Sequence, residues 1–578
     1  MSRIPCRWWC TRYARYVLAI VFVGLALGLV GVDIAPAAGQ PARFSVTGRL
    51  TDQQGQPVAS AEISARVSSE SDPFAVAESQ EDGSWDLLLE AVPTQNVIIT
   101  IDHHHFQRQA VSLSTEQLDT LNETGAYSLG ELTLERRITA GFWAATIIFL
   151  LMLLVIASEK LHSTTAALAG MSAVFVVTFV GGAFHPGFYI FSFERALTYI
   201  NWEVIFLVMG MMIVIAIIEG TGVFQWMAFQ AYRLSRGHAW LLALMLMLIT
   251  AVASALLDNF TTMLLMAPIS LQIGLALGVN PLAFIIPEVL ASNVAGISTL
   301  IGTPTNILIG AYADIGFNGF LVNQTVGVVL ALAVMAGFIL YYYRHEWRKS
   351  QGGVSPALYA RMKENARIRK PDTLWKAGLV FALILMAFAV GERYQIVPAV
   401  TALVGATALL VWVESDVDQM IRAVDWTTLV FFMALFIVVG AVQEVGLISL
   451  IAGAMGRLIG KHLVLGTFVI VFGAGTLSTT IANIPLTAAM LPVVQFLTGS
   501  IPGAGNNVLY YALSMGAAMG GNGLLIGGEA NLVTAGITKR AGSPISFREF
   551  LRVGLPTTYL TLAIGFLWLV VHFVIFGS

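Results

Sequence analysis

Charge is scarce in this chain. Of its 578 residues, 11% are Asp, Glu, Lys or Arg and 57% are hydrophobic, whereas a soluble domain carries about 25% charge. That shortage excludes an ordinary soluble protein. Cysteine is scarcer still: Cys6 and Cys10 are the only two. Both precede the first apolar stretch, so neither a disulfide framework nor a cysteine-based metal centre is expected. Catalytic signatures are missing as well. No His-Glu-x-x-His, no Gly-x-Ser-x-Gly and no aspartates paired at catalytic spacing occur, which argues against an intramembrane enzyme. The lack of a phosphate-binding P-loop argues against ATP-driven pumping by this chain alone. Basic patches with interleaved aromatics are absent too, so nucleic acid is not an expected partner, and the net charge of −3 names no other.

Apolar runs, by contrast, are abundant from about residue 139 to the end, several of 18 residues or more. These predict several membrane spans, with the bilayer as the principal partner. Residues 1–38 read as a signal peptide or signal anchor: Arg3, Arg7, Arg12 and Arg15, the apolar run Val17 to Val32, then Ala35-Pro36-Ala37-Ala38. Cleaved or not, such a segment delivers the adjoining polar region outside the cytoplasm and places the protein in the plasma (inner) membrane.

Residues 43–135 are polar and alternate with period two, as in Phe44-Ser45-Val46-Thr47-Gly48-Arg49-Leu50. Turn signals at Asp52 to Gly55 and Glu81-Asp82-Gly83 separate short strands, which predicts a small Ig-like β-sandwich. The strings Val46-Thr47-Gly48-Arg49-Leu50-Thr51-Asp52, Gly55-Gln56-Pro57-Val58 and Asp82-Gly83-Ser84-Trp85 resemble the carboxypeptidase regulatory-like domain. That resemblance implies an accessory domain without catalytic residues. Adjacent strand residues point to opposite faces, so His103-His104-His105 makes a poor chelate and is expected on a surface strand or turn.

Two stretches repeat each other. Trp202, Gly222, Asn259 and Pro268 recur as Trp426, Gly446, Asn483 and Pro492, each 224 residues on. The breaks Gly302-Thr303-Pro304-Thr305-Asn306 and Gly527-Gly528-Glu529-Ala530-Asn531 match at 225 (531−306). The membrane part divides into leading helices at 139–198, a first repeat at 199–344, a polar loop at 345–372, connecting helices at 373–424 and a second repeat at 425–578. Eight basic residues from Arg344 to Lys370, against Glu346 and Glu364, make the loop cytoplasmic by the positive-inside rule. With 240–275 and 463–497 taken as re-entrant hairpins, the repeats start on opposite sides and have inverted topology. Lys539, Arg540, Arg548 and Arg552 then fall inside, while Arg136, Arg137, Arg457 and Lys461 violate the rule.

Matched, interrupted apolar segments are where secondary transporters build their sites. In the first repeat, Asp258, Asn259, Thr261 and Thr262 sit between two apolar half-runs. A polar cluster at that depth must face protein or water, and an acid there is a functional candidate. Glu288 to Asn293 and the break add Ser292, Asn293, Thr303 and Asn306. The second repeat supplies Thr480, Asn483, Asn522, Glu529 and Asn531. The counterpart of Asp258 is Ala482 (258+224), and Glu529 from the opposing break is expected to supply the second charge. Sodium is expected near Asp258 and Asn306, with Na+ or H+ as coupling ion and no other cofactor. Glu219, Glu414, Asp416, Asp418 and Glu444 lie near span ends and read as solvated. No Arg lies in the breaks to clamp a dicarboxylate in bidentate fashion.

Leu257 to Thr262, Glu288 to Gly296, Leu300 to Asn306 and Gly520 to Asn531 resemble the ion transporter superfamily over about residues 160–577. That superfamily spans arsenite permeases, NhaD-type sodium/proton antiporters, the P-protein, citrate permeases and divalent anion:sodium symporters. The resemblance implies an all-α polytopic membrane protein with two inverted repeats, re-entrant hairpins, broken helices, a homodimer and elevator-type alternating access. It departs at Ala482-Asn483, where relatives carry a second Asp-Asn pair, and at Glu529, where they tend to carry Ser. The expected function is secondary transport of a small inorganic or organic ion: an arsenite-like or carboxylate anion, or Na+ exchanged for H+. The competing expectation is a membrane sensor or scaffold whose exported β-domain binds a partner and whose repeats no longer transport.

Overall fold

The computed structural model describes residues 44–577 except 54, 56, 68–71, 91–96, 159, 350–355 and 415. The export signal expected over 1–38 lies outside the described residues. Two compact units emerge, one formed mainly by residues up to Leu132 and one comprising Leu50–Val58, Asp102–Gln109 and Thr133 onward.

The first unit is β-rich. Its strands are β1 (Phe44–Asp52), β2 (Glu62–Arg66), β3 (Ala75–Glu78), β4 (Ser84–Leu89), β5 (Val97–Asp102), β6 (Gln109–Leu113) and β7 (Ala126–Leu134). They form a three-stranded sheet in the order β4-β1-β7 and a four-stranded sheet in the order β3-β2-β5-β6. Alternation drives the packing. Along β4, Trp85, Leu87 and Leu89 are buried while Asp86 and Leu88 are exposed. Gly48 sits opposite Trp85, and a Cβ there would lie 2.7 Å from the indole. Helix α1 (Thr115–Thr124) starts with a Ser114/Gln117 capping box and stops at Gly125, φ 74°.

In the second unit, the His103–His105 turn corrects one expectation. Only His104 is exposed. The chain folds back through the Phe106 N–H to the His103 carbonyl at 3.1 Å, which turns the flanking imidazoles inward. His105 is 2% exposed, with Nε2 2.7 Å from the Ile190 carbonyl oxygen. Burial, aided by its neighbour His105, pushes the His103 pKa down to about 3. Burial pushes His105 down to about 4 against that carbonyl bond. A second correction concerns Glu444, which is not solvated. Its carboxylate accepts from the Tyr199 hydroxyl and lies 3.7 Å from Arg195, and its carbonyl accepts from Arg136 at 3.2 Å. Arg136 in turn holds Asp52 at 3.2 Å.

The helices of this unit begin with α2 (Ala140–Ser158), α3 (Ser163–Phe184), α4 (Trp202–Glu219), α5 (Val223–Leu234), α6 (Ala239–Leu256), α7 (Asn259–Ala276), α8 (Leu282–Ala295), α9 (Pro304–Ala313) and α10 (Phe317–Tyr342). After the loop come α11 (Pro371–Gly391), α12 (Pro398–Val413), α13 (Trp426–Glu444), α14 (Leu447–Ile459), α15 (Leu463–Ser478), α16 (Asn483–Ser500), α17 (Val508–Gly520), α18 (Glu529–Arg540) and α19 (Phe547–Leu569). Nine helices among the described residues are long and apolar enough to cross a membrane. Elements α4 to α10 recur in order as α13 to α19. The match reaches backbone detail: Gly222 and Gly446 both precede their helix in the left-handed region, at φ 84° and 92°, where only glycine is unstrained.

Hairpin α6–α7 returns to its own side. Its base at Asn280 bonds Glu346, just past the end of α10, at 3.2 Å, while its tip meets the break between α8 and α9. Five crossings therefore separate the starts of α4 and α13: α4, α8 with α9, α10, α11 and α12. The odd number makes the repeats inverted. They interlock, since α18 packs on α7 and α9 packs on α16. The second half of each broken helix thus lies on the hairpin of the other repeat.

Candidate functional site

Each broken helix is interrupted by a chain crossing that only glycine permits. After α8, a 3-10 turn at Gly296–Ser298 and extended residues lead to α9, which opens on Pro304. A Cβ on Gly302 would lie 2.5 Å from the Gly296 carbonyl oxygen and 2.8 Å from that of Ser254. In the second repeat, a Cβ on Gly527 would lie 2.8 Å from the Gly521 oxygen and 2.9 Å from that of Ser478. These are repeat mates: 296+225 = 521, 302+225 = 527 and 254+224 = 478. Each hairpin tip is thereby seated on the break of its own repeat.

Between the breaks lies a buried amide cluster. Asn259 Nδ2 donates to Asn293 Oδ1 at 2.7 Å. Asn293 Nδ2 donates to Asn522 Oδ1 at 2.8 Å and to Asn531 Oδ1 at 3.0 Å. Asn522 donates to the Leu290 carbonyl at 3.1 Å, and Asn531 to those of Gly521 and Leu524 at 2.8 and 3.1 Å. Asn306 ties its own break in the same manner, donating to Ile297 and Thr299. Its Oδ1 accepts from Ser514 of α17 at 2.5 Å. Ser292 donates to Ser254 Oγ at 3.0 Å and lies 3.4 Å from the Asn259 carbonyl oxygen.

Five of the expected residues, Asn259, Ser292, Asn293, Asn522 and Asn531, therefore meet in one network. Thr303 is buried nearby, paired with Thr305 at 3.0 Å. Thr262 is fully buried and its hydroxyl has no hydrogen-bond partner, and the same holds for Asn483 Oδ1. The Thr261 backbone N–H donates to Asp258 at 2.7 Å. Thr480 is not brought into the network: its side chain is exposed and bonds the Leu477 carbonyl at 3.2 Å. Ser514 and Gln324, joined at 3.1 Å, belong to the surroundings of Asn306 and were missed.

Beside the network the acids line two adjoining cavities. A small one of about 40 Å³ is lined by Asp258, Asp425, Thr428, Glu529 and apolar side chains. A larger one of about 710 Å³ shares Asp425, Thr428 and Glu529 and extends to Ala482, Lys160 and His162. Asp258 and Glu529 do come to one place. Asn306 lines neither cavity, and its amide bonds Ile297, Thr299 and Ser514 instead. Asp425 is another residue that sequence reasoning missed. It caps α13, accepting from Thr427 N, Thr428 N and Thr428 Oγ1 at 3.0, 3.2 and 2.6 Å. Its repeat mate Asn201 (425−224) caps α4 in the same way, and that acid-for-amide exchange was the available signal. Among the described residues, no three His, Cys, Asp or Glu side chains are placed to hold one metal ion.

The citrate transporter profile, CitMHS, matches residues 152–503, from α2 through α16. An uncharacterized transporter of Mycobacterium tuberculosis is 36% identical over 433 residues, covering 74% of this chain and 97% of that one. The human P protein is 30% identical over 583 residues, covering 86% of this chain and 67% of its own length. The solved Alcanivorax borkumensis YdaH transporter superposes with a TM-score of 0.47 at 13% identity, covering 75% of this chain and 99% of that one. The chain belongs to the citrate transporter family and is a multi-pass membrane transporter rather than an enzyme.

Proposed function

We propose that the chain is a secondary active transporter of a small anion, a carboxylate or an arsenite-like oxyanion, coupled to H+ or Na+ through an elevator-type cycle. The observation that carries this reading is the meeting of both breaks in the Asn259–Asn293–Asn522–Asn531 network, next to a cavity lined by Asp258, Asp425 and Glu529. Helix N-termini and amide donors suit an anion, and α9 and α18 both begin at the breaks. The carboxyl groups suit a cation or proton. Asn259, Thr261, Thr262, Ser292, Asn293, Thr303 and Asn306 supply one half of the site, and Asn483, Asn522, Glu529 and Asn531 the other. Asp258 and Glu529 carry the coupling-ion charge, with Asp425 lining the same cavity. The family's citrate label supports a carboxylate. A second reading, exchange of Na+ for H+, is favoured by the three acids and by the lack of Arg in the breaks. In either case the β-rich unit, carboxypeptidase regulatory-like in this reading, lies outside the cytoplasm and the carrier works as a homodimer.

The test uses purified protein in proteoliposomes with a pH-sensitive dye inside, challenged with a sodium gradient, then citrate, succinate and arsenite. Proton movement with one anion is expected, and Asp258→Asn and Glu529→Gln should each lower it about tenfold, equivalent to about 1.4 kcal/mol. Unchanged transport and unchanged pH dependence in both variants would refute the assignment.

A further inference from the structure

Glu288 lies on α8, two turns before the break, and the site described above does not use it. It is completely buried. Thr250 of α6 donates to Oε2 at 3.3 Å, and Oε1 has no hydrogen-bond partner. Ser270 of α7, also completely buried, faces the carboxyl, and its hydroxyl has no partner either. The helices packed on α8 are α6, α7, α10, α17, α18 and α19. Their charged side chains are Glu529, Lys539 and Arg540 on α18, and Arg548, Glu549 and Arg552 on α19. Their tyrosines are Tyr341 and Tyr342 on α10, Tyr510 and Tyr511 on α17, and Tyr559 on α19. Among the described residues, none of these charged groups forms an ion pair with Glu288, and the hydroxyls at its carboxyl are those of Thr250 and Ser270.

A buried carboxylate with one neutral donor and no counter-charge is expensive. A proton on Oε1 removes that charge and gives the Ser270 hydroxyl a donor. The position is connected to the site. Glu288 and Ser292 are four residues apart on α8, and Thr250 and Ser254 four apart on α6, so both pairs face one seam. One helical turn of about 6 Å leads from the Thr250–Glu288 contact to the Ser254–Ser292 pair. From there Ser292 reaches the Asn259 carbonyl and the amide cluster.

We infer that Glu288 is a proton-binding residue of the transport cycle, loaded and unloaded along the Thr250–Ser254–Ser292 seam. This rests on the reading of the chain as an ion-coupled carrier. In loading, hydronium from the site gives its proton to Oε1, forming one O–H bond and leaving water; unloading is the reverse. The conservative variant is Glu288→Gln, which keeps the volume and the acceptor for Thr250 but cannot titrate. Infrared spectra of the purified protein across the neutral and alkaline range should show a buried neutral carboxyl band that titrates in the wild type and is missing in Glu288→Gln. A band that does not titrate, or one equal in both proteins, would overturn the inference, because a purely structural acid would keep its proton. In proteoliposomes with labelled citrate, the variant should retain exchange while uptake driven by a pH gradient falls about tenfold. Retention of that uptake with an unchanged pH profile would also overturn it. Wild-type vesicles that move neither citrate nor protons would strike the coupled-carrier reading instead, and the infrared result would still decide Glu288.

Discussion

Asn293 is the side chain on which the join between the repeats depends, and Asn293→Asp tests the network most directly. The native amide accepts once, from Asn259 at 2.7 Å, and donates twice, to Asn522 at 2.8 Å and Asn531 at 3.0 Å. Those two acceptors cannot simply turn over. Asn522 Nδ2 already bonds Leu290 and Asn531 Nδ2 bonds Gly521 and Leu524. Aspartate has nearly the same shape but sets an oxygen against two oxygens. A buried acceptor left unsatisfied costs about 1–3 kcal/mol, so two cost about 2–6 kcal/mol. A proton on the new carboxyl restores one donor and one bond, which halves the penalty to about 1–3 kcal/mol. The loss should therefore be large at neutral pH and shrink on acidification. Asn293→Ala removes the same donors without adding charge, and its loss should not depend on pH. Thermal unfolding of the detergent-solubilised protein across pH reads both, with proteoliposome flux as the functional measure. If Asn293→Asp melts with the wild type at neutral pH, or if its deficit stays the same in acid, the hydrogen-bond directions assigned to the cluster are wrong.

Two further outcomes are expected. Gly302→Ala forces a methyl to 2.5 Å from the Gly296 oxygen, which should cost about 1–3 kcal/mol or more and abolish flux. Gly473→Ala, where nothing lies within 4 Å, should change neither, and equal behaviour of the two would remove the case for a chain crossing. The half-buried His103 and the buried His105, with pKa values of about 3 and about 4, are neutral when folded, whereas the unfolded value is about 6.5. Between those values the unfolded chain binds more protons, so stability is full above about pH 6.5 and falls with acidification by about 1.4 kcal/mol per unit per histidine. Thermal inactivation measured against pH should show this slope, and His105→Gln should reduce it by about half.

The sequence was most informative where geometry leaves one residue type. Gly296, Gly302 and Gly527 are required by backbone contact, Gly521 is tightly packed, and Gly222 and Gly446 have positive φ; all six keep their repeat spacing. The hairpin tips and breaks were legible for that reason, as was the strand alternation around Trp85. The hidden part is non-local. Ser514 sits in an unremarkable apolar helix, and its bond to Asn306 exists because α17 of one repeat lies against the break of the other. Asp425 reads locally as a helix cap, which it also is. A turn was expected at His103–His105, but the burial of His105 was not legible, because its partner, the Ile190 carbonyl, lies 85 residues on. Thr480 occupies the hairpin tip as expected but points outward, since position in a motif does not fix side-chain direction.

The charges break the symmetry that the backbone keeps. Asp258 has Ala482 as repeat mate (258+224), Asp425 has Asn201 (425−224) and Glu529 has Pro304 (529−225). Each acid is thus matched by a neutral residue, and all three acids line the same cavity. One comes from the first repeat and two from the second, so the assembled carrier has acids at one of two pseudo-equivalent places. Inverted repeats alone would give two like sites, one related to the other by the pseudo-two-fold axis. The amide network obeys that axis in part, since Asn306 and Asn531 (306+225) tie their own breaks alike. For an ion-coupled anion carrier the division has a function. In the carrier proposed above, the near-symmetric amides and helix ends are the anion's side of the site, and the asymmetric carboxyls are the coupling cation's side. Moving the charge to the other half, by Asp258→Ala combined with Ala482→Asp, therefore does not recreate the site, because Asp425 and Glu529 would remain where they are.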